Sequence, residues 1–309
     1  MKSMAGLADI FGHVNDNQRI HLNIYRDWGG LNSHNSWWDT HDTAQMEDVE
    51  SLFPDLRFLD YDINPVINNT FINNAGIDGS SWQYNSAGQS TLTLHFWLHF
   101  DTYYDFLDKK RDIQNYFTSK AAFELSFSNH DIIHARCYTS KCDMSLKEKG
   151  THDLLFDVEM INALGLWFTN RTSFLQKNWK SDWMYDLHMA VGVSHPDWSL
   201  NAGTNNIYIP EGVRIQMTNP NMELGIKIYG ANGSVSIKNE TTGTELSAAG
   251  DGVTGNLTWY NLNLQNSDGE PINQYSNSRD FWIDPGLNKI TLTGASGGYV
   301  DTRFFFAAP

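Results

Sequence analysis

The sharpest pattern in the chain is a strict alternation. Leu92, Leu94, Phe96, Leu98 and Phe100 fall on one side, and Thr91, Thr93, His95, Trp97 and His99 on the other. Period two over this length predicts a β-strand with one buried face. At Thr102 the period changes. Thr102-x-x-Asp105 fits a capping box. Tyr103, Phe106, Leu107, Ile113 and Phe117 then form a helical stripe, with Asp108, Lys109, Arg111 and Asp112 turned to solvent. This is the only helix expected between residues 60 and 170. Strands resume where Phe123, Leu125 and Phe127 alternate with Glu124 and Ser126. Ser128-Asn129-His130-Asp131 reads as a hairpin turn, and 132–139 as the returning strand. Leu154, Phe156, Val158 and Met160 alternate with Asp153, Asp157 and Glu159, an apolar face backed by an acidic one. Upstream, Ile63-Asn64-Pro65-Val66-Ile67 predicts an extended edge segment, because proline lacks an N–H. Ile77-Asp78-Gly79-Ser80 supplies a turn.

The flanks are less patterned. In 1–60, His21 to Tyr25 reads as a short strand, and Trp28-Gly29-Gly30 and 32–36 as loop. Trp37 and Trp38 stand in polar surroundings, as an interface anchor or as a plug for the edge of a core. Residues 170–205 set Trp179, Trp183, Tyr185 and Trp198 among polar residues and read as linker-like. Beyond them, short strands at 213–217, 224–229, 234–238, 257–264, 280–283, 289–292 and 303–306 recur between Gly and Asn turns, which favours a β-sandwich. The expected fold class is mainly β, in two domains at 1–200 and 201–309.

Charge and composition narrow the function. The chain has 309 residues and a formal net charge of −15. Residues 201–309 hold 6 Lys+Arg and 10 Asp+Glu, so −4 belongs to them and −11 to residues 1–200. Such a balance argues against tight nucleic-acid binding, which needs basic side chains on the phosphates. It suits a surface that DNA slides past. Aromatics reach 13%, enough for broad contact surfaces as well as for two aromatic cores. The start of the chain, Lys2 before an apolar patch broken by Asp9 and His13, does not read as a signal peptide. No apolar run reaches the length of a membrane span.

The order of elements resembles the siphophage distal tail protein family, the hub of the tail tip or baseplate. Residues 60–170 are similar to its N-terminal domain: an extended segment (Pro65-Val66-Ile67), a turn (Asp78-Gly79), the long alternating strand, one helix, a hairpin, and a strand ending near Gly165-Leu166-Trp167-Phe168. Residues 207–309 are similar to its galectin-like domain, with Pro285-Gly286-Leu287-Asn288-Lys289-Ile290 before the last strands. The longer, Trp- and His-rich opening and the stretch 170–205 depart from the family. The resemblance implies an N-terminal β-barrel or sandwich ring domain with one helix, and a C-terminal galectin-like β-sandwich. It implies a homohexameric ring that surrounds the DNA channel and joins the tail tube protein to a tail-tip protein. Receptor-binding proteins are implied as further partners. The place implied is the virion tail tip, after assembly in the host cytoplasm. No cofactor, metal or membrane insertion is expected, and no enzymatic activity. The alternative function is a host cell-wall glycan-binding module.

Candidate chemistry was weighed residue by residue. His95, Trp97 and His99 share the polar strand face and are expected to line a subunit contact or meet solvent. Trp37 and Trp38 are further interface candidates. Trp259, Tyr260 and Trp282 are the candidates for stacking on sugar rings, against core packing as the favoured reading. His130, His134, Cys137 and Cys142 invite a zinc reading. Four residues along a strand, however, separate side chains by roughly 13 Å. Asp157 and Glu159 share a strand face at about 7 Å, within the range for paired glycosidase carboxylates, but any acidic strand face produces such a pair. No nucleophile-elbow, phosphate-loop or zinc-protease motif is present.

Overall fold

The computed structural model describes residues 19–27, 46–73, 78–146, 148, 150–170, 172–173, 187, 197–219, 222–277 and 280–309. Trp37, Trp38 and most of 170–205 lie outside the described residues. The architecture is mainly β, and its larger sheet curls into a half-barrel.

That sheet takes its strands from the first part of the chain: β1 (Leu22–Asp27), β2 (Glu47–Asp48), β3 (Leu56–Ile72), β4 (Ser81–His99), β5 (Ala122–Phe127), β6 (His130–Asp143), β7 (Asp153–Asn162) and β8 (Trp167–Thr169). A short helix α1 (Val49–Leu52) follows β2, and α2 (Tyr103–Phe117) follows β4. The order is β2-β1-β5-β6-β7-β4-β3, with β8 against β6. Every described pairing is antiparallel, as hairpin-linked neighbours dictate. The apolar face of β4 is buried as its alternation requires. Phe96 meets Phe156 at 5.5 Å and Phe117 of α2 at 5.8 Å between ring centroids. Helix α2 begins as its sequence demands: Thr102 Oγ1 accepts from the Asp105 N–H at 3.2 Å. The Asp105 carboxylate reaches back to the Asp101 N–H at 3.0 Å, one residue before the usual capping-box partner. Phe106, Ile113 and Phe117 are buried, whereas Tyr103 and Leu107 of the predicted stripe are exposed.

The second sheet comprises β9 (Ser199–Ile209), β11 (Leu224–Asn239), β12 (Thr244–Tyr260), β13 (Asn263–Gln265) and β15 (Gly286–Thr302), in the order β13-β12-β11-β15-β9. Beside it, β10 (Ile215–Gln216) pairs with β14 (Trp282–Ile283). Two expectations fail here. Residues 224–229 and 234–238 read as separate strands, but they are one bent strand. The glycines between them make bulges rather than a reversal. Gly230, Gly233, Gly255 and Gly294 all have φ between +65° and +79°, and the register shifts beside them. A glycine bulge bends a strand without ending it. Conversely, 257–264 read as one strand and is two. Asn261 turns the chain at φ 50° between Tyr260 and its partner Asn263.

The last predicted strand also changes place. Within 303–306, β16 (Phe305–Phe306) pairs with β8. The end of the chain thus returns to the larger sheet. Arg303 sits at the crossing. It donates to Glu223 Oε2 at 2.9 Å and to the Thr169 carbonyl at 2.6 Å. Trp198 packs on Phe304 with ring centroids 5.4 Å apart.

Candidate assembly surface

The polar face of β4 is an interlocked ladder. His95 Nδ1 lies 2.7 Å from Asp157 on β7, and Nε2 lies 3.2 Å from Asp62 on β3. The hydrogen bond to Asp157 is the main cause of a His95 pKa raised above the ordinary histidine value. Burial opposes the rise and Asp62 reinforces it. His99 Nδ1 lies 2.9 Å from Asp153. Trp97 stacks on His99 at 5.8 Å between centroids. Cross-strand pairing puts Trp97 between Arg57 and Leu155, and Leu155 is exposed. The three β4 residues expected at a subunit contact therefore lie together on an outer face. The two histidines are held there by carboxylates of the neighbouring strands.

A second feature was not anticipated. β7 stops pairing with β4 at Ser90, while β3 and β4 continue together to Ile72 and Ser81. Among the described residues, no third strand pairs with the outer part of this hairpin, which is a two-stranded arm. Val66, Ile67, Phe71, Ile72, Trp82 and Tyr84 are each 40% to 58% exposed on it. The sequence signalled the edge at Pro65 and the turn at Asp78-Gly79. The arm was missed because its large residues are interspersed with Asn and Ser, which mask any period. A related patch lies at the start of α2, where Tyr103 and Leu107 are exposed and Tyr104 is 80% exposed. Beside it, Phe100, Tyr103, Leu146, Glu148, Thr151 and His152 help line an open cleft of about 630 Å³.

The three sugar-stacking candidates, Trp259, Tyr260 and Trp282, lie in different surroundings. Trp259 is fully buried, and its indole N–H donates to Ser276 Oγ at 3.2 Å. It offers no face to a ring and packs in the core near the end of its strand. The Tyr260 hydroxyl donates to Glu223 at 3.4 Å. Trp282 is half-buried, and Arg214 covers its ring at 5.0 Å. The two partners do not sit side by side with Trp259 on an open surface.

The residues weighed for catalysis and zinc are held in structural contacts. Asp157 bonds His95, and Glu159 lies 3.9 Å from Lys141. His134 is buried between Glu124, 2.6 Å from Nδ1, and the Asp131 carbonyl, 3.0 Å from Nε2. The predicted alternation of β5 is overridden here, because Glu124 and Ser126 are buried along with their apolar neighbours. Burial pushes the Cys137 thiol strongly up and that of Cys142 to about 11, so both favour the neutral form. Among the described residues no group of three potential ligands stands close enough to hold a metal. Among the same residues no helix is long and apolar enough to cross a membrane.

Comparison with known proteins finds one family domain and similar solved folds. The family model described as the phage tail protein RIFT-related domain matches residues 47–153, which span α1, β3, the arm, β4, α2, β5 and β6. Among solved structures, the SPP1 Dit (gp 19.1) protein, described as a paradigm of hub adsorption apparatus in Gram-positive infecting phages, superposes with a TM-score of 0.57 at 10% identity. The match covers 92% of this chain and 99% of that one. A chain of the phage p2 baseplate in its activated conformation with Sr superposes with a TM-score of 0.38 at 9% identity, over 92% of this chain and 98% of that one. No curated protein sequence matches. Residues 47–153 thus match the phage tail protein RIFT-related domain, and the chain as a whole is similar in fold to the SPP1 Dit protein.

Proposed function

We propose that the chain is a structural subunit that closes into a homohexameric ring around the DNA channel and joins the tail tube to the tail tip. The observation that carries this reading is the uncovered apolar arm within the matched tail domain. Monomeric proteins rarely leave large contiguous apolar patches in water, and such patches mark assembly sites. The six-fold count rests on the family resemblance. The −11 charge of residues 1–200 suits a channel wall that DNA passes without sticking. Tail tube and tail-tip proteins are the neighbours above and below, receptor-binding proteins are further partners, and the virion tail tip is the location. Two domains at 1–200 and 201–309 divide the work, the first building the ring and the second projecting from it. The role needs no catalysis.

The glycan-binding alternative has less behind it, since its central candidate, Trp259, is buried. Negative-stain imaging of the purified chain, alone or with its tail-tube neighbour, tests the ring. The expected particle has six-fold symmetry and a central hole. Compact particles without a hole in both preparations would overturn the proposal.

A further inference from the structure

A closed ring needs a contact in which one surface of a copy fits a different surface of the next. We infer that the β3–β4 arm of one copy lies in the cleft beside the start of α2 of its neighbour. This deepens the ring reading and rests on it.

Each half of the contact is unsatisfied in the single chain. The arm is a two-stranded hairpin beyond the last β7 pairing, at Ser90. Such a hairpin is marginal in water without a further surface to pack on. From Asn64 to Ile72 it runs roughly 25–30 Å at the rise of a strand, enough to leave its own sheet. Its three aromatics, Phe71, Trp82 and Tyr84, each leave over half their surface exposed. Aromatic side chains bury roughly 150–250 Å² each, so these three hold back roughly 250–430 Å². Each copy would give one arm and receive another. Those are two separate contacts, so with Val66, Ile67 and Ile72 added the arm supplies roughly half or more of the roughly 800 Å² per partner of one stable interface. The receiving cleft, about 630 Å³, opens beside Tyr103 and adjoins the exposed Tyr104 and Leu107.

Charge argues that the occupant is a second copy. In a chain of net charge −15, residues 63–89 carry one formal charge, at Asp78. The receiving side is charged with both signs: Asp105 pairs with Lys109 at 2.8 Å, beside Asp101 and Glu148. Two acidic copies repel wherever charged faces meet. A nearly uncharged arm rich in Asn and Ser approaches such a surface without that penalty, and its amides can donate to the carboxylates.

Two variants in a Cys142→Ser background test the docking: one carries Trp82→Cys, the other Tyr103→Cys. Treated with a short thiol-to-thiol cross-linker, the mixture is expected to give a dimer band that neither variant gives alone. In parallel, the doubly substituted Phe71→Asp, Trp82→Asp chain is expected to lose the assembled mass at least tenfold in concentration dependence while keeping its far-ultraviolet circular dichroism. If that chain does not fold, the cross-link decides alone. Assembled particles without the mixed cross-link would overturn the arm-to-cleft contact and leave the ring standing. A wild-type chain that stays monomeric and uncross-linked both alone and with its tail-tube neighbour would overturn both.

Discussion

Arg303 is 4% exposed and still carries a full charge. Its guanidinium holds the Glu223 carboxylate, whose pKa burial pushes up and Arg303 pulls down. Lys227 and Asp301 pair close by at 3.2 Å. Removing one partner of a buried pair leaves the other uncompensated, at a cost of about 3–5 kcal/mol. Arg303→Ala is therefore expected to destabilise the chain by about that amount in urea unfolding at neutral pH. Without Arg303, the folded Glu223 pKa rises further above its unfolded value. The linkage then runs in one direction: the folded state is favoured below the unfolded pKa and loses ground as pH rises through the folded one. The variant should recover part of its deficit in mild acid, and a deficit that grows in acid would contradict this. His95 gives the opposite case, a cation favoured by its partners. Its folded pKa lies above 6.5, so its contribution is complete below 6.5 and fades as pH rises past the folded value. An NMR titration of the His95 ring should find its midpoint above 6.5 in the wild type and lower in Asp157→Asn.

At the scale of elements, local chemistry decided which sequence signals survived. The ten-residue alternation of β4 and the Thr102 cap were legible because each rests on neighbouring residues alone. Thr102→Ala is expected to cost about 1 kcal/mol by removing the bond to the Asp105 N–H, measured by thermal or urea unfolding. The second sheet was misread at its corners. A glycine with positive φ serves a hairpin turn and a bulge equally, and only the partner strand distinguishes them. Gly294 shows the difference: its φ is +79°, and an added Cβ would stand 2.0 Å from the Ser234 carbonyl oxygen across the bulge. Gly294→Ala should therefore destabilise by more than the roughly 1–2 kcal/mol of a left-handed residue alone. A near-neutral result would show that the corner is not built as described. β5 was misread for a tertiary reason, since Glu124 finds a buried partner in His134 that no local pattern announces.

At the scale of the molecule, the mainly β class was legible from periodicity. The return of β16 to the larger sheet was not, because Phe305 and Phe306 meet Trp167 and Phe168 only through the fold. The arm escaped notice for a related reason: a patch is visible as exposed only when everything else is seen to be covered. Its exposure and the acidity of the chain set the physics of assembly. Apolar docking favours association, and the net charge of −15 opposes it with a repulsion that salt screens over a Debye length of about 10 Å at 0.1 M. Association should therefore strengthen with added salt. Weakening with salt would mean that ion pairs, rather than the arm, hold the copies together.

The most direct measurement is the mass of the purified chain in solution, by multi-angle light scattering over a range of concentration and salt. The account predicts a species near six times the 35.2 kDa chain, increasingly populated as salt rises. A single 35.2 kDa species under every condition would contradict it.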